Sequence, residues 1–146
     1  MSSLRPILLV EDNPNDVELT LAALRQANLA NEIVVAQDGD EALDFLFRRG
    51  RHLGRSGPDP SVVFLDLKMP GTDGREVLQS IRRSGGLHNL PVVVLTSSRE
   101  EGDLLETYQL GANAYVVKPV GFESFVGAVG KLGFFWALLN EPPPSP

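Results

Sequence analysis

Cysteine is absent from this 146-residue chain, and histidine occurs only as His52 and His88. That excludes a disulfide framework, a thiolate metal site and a cysteine nucleophile, and two imidazoles cannot make a three-histidine metal centre. Basic residues are in deficit: 13 Lys and Arg stand against 19 Asp and Glu, a net charge of −6. DNA binding wants a basic face, so none is expected here. No apolar run approaches the roughly 20 residues of a membrane span. The run Ile7–Val10 stops at Glu11-Asp12 and is too short for a secretory signal. A soluble, cytoplasmic protein without membrane contact is expected. The sequence also lacks a G-x-x-x-x-G-K-[ST] loop, H-E-x-x-H and G-x-S-x-G. What remains is 42% apolar and 22% charged residues, the ordinary globular mix at the length of one domain.

Five short apolar runs alternate with helical patterns. The runs are Pro6–Val10, Ile33–Ala36, Val62–Leu65, Val92–Leu95 and Ala114–Val117. They are continuous rather than alternating, as in strands buried on both faces of a parallel sheet. Asn13-Pro14 fits an N-cap with proline at the first helical position, and Val17, Leu21, Leu24 and Ala27 follow at helical spacing. Further helices are expected over Asp38–Arg49, Asp73–Arg83, Ser98–Leu110 and Phe122–Leu139. Five βα units with right-handed crossovers give an open α/β sheet covered by helices on both faces. Arg48–Pro60 breaks the pattern: it is rich in Gly, Arg and Pro, is aperiodic, and exceeds the usual 2–6-residue connection. It reads either as a solvated insertion or as a partner-contacting loop.

Such sheets place their site at the carboxyl ends of the strands. There the chain offers Glu11 and Asp12 after the first strand, Asp66 after the third, Thr96 at the fourth and Lys118 after the fifth. Three carboxylates gathered on one edge repel unless a cation compensates, and an all-oxygen set favours a hard ion such as Mg²⁺. A lysine and a hydroxyl beside them can engage a phosphate-like group. The set reads as a site that carries a phosphoryl group on a carboxylate, with Asp66 as nucleophile.

Val10-Glu11-Asp12-Asn13, Leu65-Asp66 with Met69-Pro70-Gly71 and Asp73-Gly74, Leu95-Thr96-Ser97, Gly111-Ala112 and Lys118-Pro119 resemble the receiver domain of two-component response regulators. The resemblance spans residues 5–139 and leaves 140–146 as a Pro-rich tail, expected to be disordered. Glu11 stands where many members carry Asp. The long connection, with Asp44–Gly50 and a late Phe-Trp pair, is similar to single-domain regulators that work with bacterial phytochromes. The resemblance implies a flavodoxin-like, doubly wound five-stranded parallel sheet of order 2-1-3-4-5 with five helices. It implies that Asp66 accepts a phosphoryl group from a sensor histidine kinase, here a bacteriophytochrome. By the same resemblance Mg²⁺ is held by Asp12, Asp66 and the backbone carbonyl of Lys68, with Glu11 acting through water. Lys118 pairs with the phosphoryl group, Thr96 is the switch hydroxyl, and Tyr115 is the aromatic that turns with it. The Lys118–Pro119 bond is expected to be cis, and the Lys68 side chain to slow self-dephosphorylation. The protein is then a signalling receiver that modifies only itself, not an enzyme, and its output is a protein–protein contact.

Half of the ten aromatics, Phe122, Phe125, Phe134, Phe135 and Trp136, lie in the last helical segment. More apolar surface than one face needs predicts a second burial surface, and a homodimer through the fourth and fifth helices and the last strand supplies one. Two other readings use the same sheet: a flavodoxin-like cofactor-binding protein, and a degenerate receiver that is a non-phosphorylated scaffold. The first needs a phosphate loop where this chain has Glu11-Asp12-Asn13-Pro14; the second does not need the intact Asp66, Thr96 and Lys118.

Overall fold

The computed structural model describes residues 5–26, 29–96, 101–118 and 127–132. In chain order these carry β1 (Ile7–Val10), α1 (Pro14–Gln26), β2 (Ile33–Ala36), α2 (Gly39–Phe47), β3 (Val62–Leu65), α3 (Gly74–Arg83), β4 (Val92–Thr96), α4 (Glu101–Gln109) and β5 (Ala114–Val117). A further helical segment covers 127–132, inside the expected fifth helix. The strands form one parallel sheet in the order β2-β1-β3-β4-β5. This is the doubly wound architecture expected from the alternating pattern, with its switch point between β1 and β3.

Period two along the strands sorts the core into two layers. Leu8, Val10, Val63, Leu65, Val92 and Val94 pack on one face with Leu43, Leu46, Val77, Leu78 and Ile81 of α2 and α3. Ile7, Leu9, Val62, Phe64, Val93 and Leu95 pack on the other with Ala23 and Leu24 of α1 and Val129. β1, β3 and β4 are buried on both faces, which is why their sequences run apolar without a break.

Helix starts follow their capping chemistry. Asn13 Oδ1 accepts from the backbone N–H of Asn15 and Asp16 at 2.9 and 3.3 Å. Asp38 and Asp73 cap α2 and α3 by accepting from Glu41 and Glu76 at 2.7 and 3.2 Å. The two aspartates, expected inside their helices, therefore stand one residue outside them. Arg48, also expected to be helical, ends α2 in the left-handed region at φ 57°.

The long connection is organised rather than open. Arg48 donates to the carbonyls of Arg55 and Gly57 at 2.6 and 2.7 Å. Arg55 donates to the carbonyl of Phe45 at 2.9 Å, and its guanidinium carbon lies 3.9 Å from the centre of the Phe45 ring. His52 meets the same ring edge-on at 5.2 Å. The segment thus folds back along α2, and Leu53 at its tip is 80% exposed.

Candidate functional site

Parallel pairing brings the ends of β1, β3, β4 and β5 to one edge. Glu11, Asp12 and Asp66 each place a carboxylate oxygen within 4.8 Å of the others. Glu11 and Asp66 are buried, while Asp12 is exposed. Lys118, only 6% exposed, reaches into the same cluster from the end of β5. Its ammonium pairs with Glu11, lies 3.0 Å from Asp16 Oδ2 and 3.9 Å from Asp66 Oδ1. Thr96 is 1% exposed at the end of β4, and its carbonyl accepts from the Lys118 backbone N–H at 2.7 Å. Glu11, Asp12, Asp66, Thr96 and Lys118, which the sequence places at strand ends, therefore lie at one edge of the sheet.

Charge and burial compete here. Burial pushes the Asp66 carboxyl up to about 7; Lys118 opposes that rise, while Glu11 and Asp12 add to it. Burial alone would lower the Lys118 ammonium, but its hydrogen bond to Glu11 and the charges of Asp66 and Glu11 hold it above its ordinary value. One ammonium thus serves several carboxylates, leaving net negative charge for a cation. The donors are all oxygens, the pattern a hard divalent ion prefers, so the residues present fit such an ion.

The loop after β3 is gripped from two sides. Gly39 and Gly74 are the first residues of α2 and α3. A Cβ at Gly39 would lie 2.1 Å from the Thr72 carbonyl oxygen, and one at Gly74 would lie 2.2 Å from the Asp66 carbonyl oxygen. Only glycine lets both helix starts approach the loop that carries Asp66. Thr72 Oγ1 also donates to Asp40 at 2.6 Å. The Lys68 side chain is exposed and lies 3.7 Å from Asp103 of α4. Arg75 of α3 pairs with Asp103 and Glu106, tying α3 to α4 next to this loop.

Tyr115 is half-buried on β5, packs against the core layer under α2 and α3, and has its ring centre 6.5 Å from that of Tyr108. Leu104, Leu105 and Tyr108 leave an exposed apolar strip on α4. The Lys118–Pro119 bond and the aromatics Phe122, Phe125, Phe134, Phe135 and Trp136 fall outside the described residues. Sequence reasoning missed Asp16. Its place in the first turn of α1 reads as an ordinary helix-start acid, and only the spatial approach of β5 gives it a second meaning.

Comparison with known proteins gives the family of the chain. The response regulator receiver domain matches residues 7–130. Response regulator Rcp1 of Synechocystis sp. (strain ATCC 27184 / PCC 6803 / Kazusa) is 36% identical over 130 residues, covering 89% of this chain and 87% of that protein. Its crystal structure in the Mn²⁺-bound form superimposes with a TM-score of 0.85 at 34% identity, over 96% of this chain and 99% of that one. The phosphorylated cyanobacterial phytochrome response regulator RcpA gives 0.87 at 34% identity, over 97% and 100%. The bacteriophytochrome response regulator AtBRR gives 0.77 at 62% identity, over 95% and 99%. Among the described residues, no helix is long and apolar enough to cross a membrane.

Proposed function

Because the chain belongs to the response regulator receiver family, we propose that it takes a phosphoryl group onto Asp66 from a phosphohistidine of a sensor histidine kinase, in a bacteriophytochrome light-sensing pathway. The observation that carries this is the meeting of Glu11, Asp12, Asp66 and Lys118 at one sheet edge. The light-sensing setting is supported by the relatives, among them the bacteriophytochrome response regulator AtBRR at 62% identity.

In this reading a carboxylate oxygen of Asp66 attacks phosphorus in line, forming the O–P bond as the P–N bond to the kinase imidazole breaks. Asp12, Asp66 and the Lys68 carbonyl would hold Mg²⁺, with Glu11 assisting through water, and the ion would neutralise phosphoryl charge there. Lys118 meets a phosphoryl oxygen from the β5 side. Thr96 follows the new anion with its hydroxyl, and Tyr115 takes up the space released next to it. The chain turns over no other substrate: it catalyses its own phosphorylation and dephosphorylation and signals by contact.

The exposed strip of Leu104, Leu105 and Tyr108 beside Tyr115 supports a homodimer through α4, the last helix and β5, responsive to the state of Thr96. The functional unit is residues 5–139, followed by the Pro-rich tail 140–146, in the cytoplasm and without DNA or membrane contact. Incubation with acetyl phosphate and Mg²⁺ tests the assignment. Intact mass should rise by one phosphoryl group in the parent and not in Asp66→Asn. Equal modification of both would remove Asp66 as the acceptor.

A further inference from the structure

Asp16 belongs neither to the oxygen cluster of Glu11, Asp12 and Asp66 nor to the hydrophobic packing of α1, yet it faces the one buried ammonium of the site. Its backbone N–H is held by the Asn13 cap at 3.3 Å, so the first turn of α1 fixes where its carboxylate stands. From there Oδ2 lies 3.0 Å from Lys118 Nζ, whereas Asp66 Oδ1 lies 3.9 Å away, outside hydrogen-bond range.

An ammonium has three protons. In this arrangement one serves Glu11 and one serves Asp16. For Lys118 to serve an anion on Asp66 it must move toward Asp66, and the bond it can give up is the one to α1. Glu11 sits with the cation-binding oxygens, while Asp16 stands apart on the helix. We infer that Asp16 is a positioning residue: it parks the Lys118 ammonium on α1 in the resting state and competes with the phosphoryl group for it. This rests on Asp66 being the acceptor.

The test uses the full chain with saturating Mg²⁺ and trifluoroberyllate, a phosphoryl mimic that binds an aspartate carboxylate without transfer chemistry. Asp16→Asn keeps the cap but weakens the hold on Lys118. Trifluoroberyllate should then bind about fivefold more tightly, the modest gain expected for a partly exposed ion pair. Glu18→Gln is the control, because it removes the same charge from an exposed position of the same helix. It should leave affinity unchanged. Fluorine NMR supplies a readout that a purely structural role would not move: the bound fluorine next to Lys118 should shift in Asp16→Asn and not in Glu18→Gln. The gain should also vanish in a Lys118→Met background. If Asp16→Asn binds no more tightly than the parent, or if Glu18→Gln gains equally, the competition does not exist. If the parent itself fails to bind trifluoroberyllate, the acceptor assignment falls instead.

Discussion

Replacing Asp66 should stabilise the metal-free protein, and only at the upper end of the pH range. Burial pushes the Asp66 carboxyl up to about 7 in the folded chain, against about 3.9 in an unfolded one. The folded state therefore holds its proton more tightly. The group's contribution is fully present below about pH 4 and is lost as pH rises through 7. At about 1.36 kcal/mol per pH unit, a gap of about 3 units sets a ceiling near 4 kcal/mol. Only the upper part of that gap is titrated between pH 5 and 8, so roughly 2–3 kcal/mol is expected over that window. Urea unfolding in EDTA at steps from pH 4.5 to 8.5 measures it, with Asp66→Asn run in parallel. Carboxylates elsewhere titrate in both proteins and drop out of the difference. The parent should lose roughly 2–3 kcal/mol relative to the variant between pH 5 and 8, and millimolar Mg²⁺ should restore most of it in the parent alone. Profiles that stay parallel would refute the idea that buried, uncompensated charge at Asp66 drives cation binding.

Gly74→Ala would gain about 1 kcal/mol of helix propensity, but its Cβ would sit 2.2 Å from the Asp66 carbonyl oxygen and 2.7 Å from Leu67 Cα. Backbone overlap outweighs propensity, so chemical denaturation should show net destabilisation and titration weaker Mg²⁺ binding; Gly85→Ala, in open space, should do neither. Arg82→Met strips donors from the carbonyls of His88, Leu90 and Gly111 and from Asn113 Oδ1, all at 2.6–3.0 Å. A loss of about 2–4 kcal/mol is expected in the same assay. Lys68→Ala should shorten the half-life of the phosphorylated protein, followed by loss of the acyl phosphate; an equal or longer half-life would exclude shielding by that side chain.

β1, β3 and β4 were readable because burial on both faces leaves an unbroken apolar signature, and the half-buried edge strands β2 and β5 kept short apolar runs as well; β2, β3 and β5 fall on the expected residues, and β1 and β4 differ by one residue at an end. The candidate site was readable because parallel topology brings four separate strand ends to one place. Asp16 was not, since its partner is 102 positions away and helix-start acids are common. Gly39 and Gly74 were equally silent: what they contribute is the absence of a methyl group, which matters only once the loop after β3 lies on top of them. The Arg48–Pro60 connection hid its order because guanidinium-to-carbonyl staples have no period to detect.

That connection has a practical consequence for anyone cutting or splicing the chain. Loop length by itself costs little, since closure entropy grows only slowly with length. This loop, however, roofs an aromatic ring: Phe45 is 5% exposed beneath Arg55 and His52. Trimming it would wet that ring and release Arg48 and Arg55 from their carbonyls, so the shortened protein would lose interior rather than slack. Room for foreign sequence lies at the crest instead. Leu53 projects into solvent, and a Cβ added at Gly54 would meet nothing within 4 Å. A reporter spliced between those two residues would ride on a braced platform and leave both staples in place.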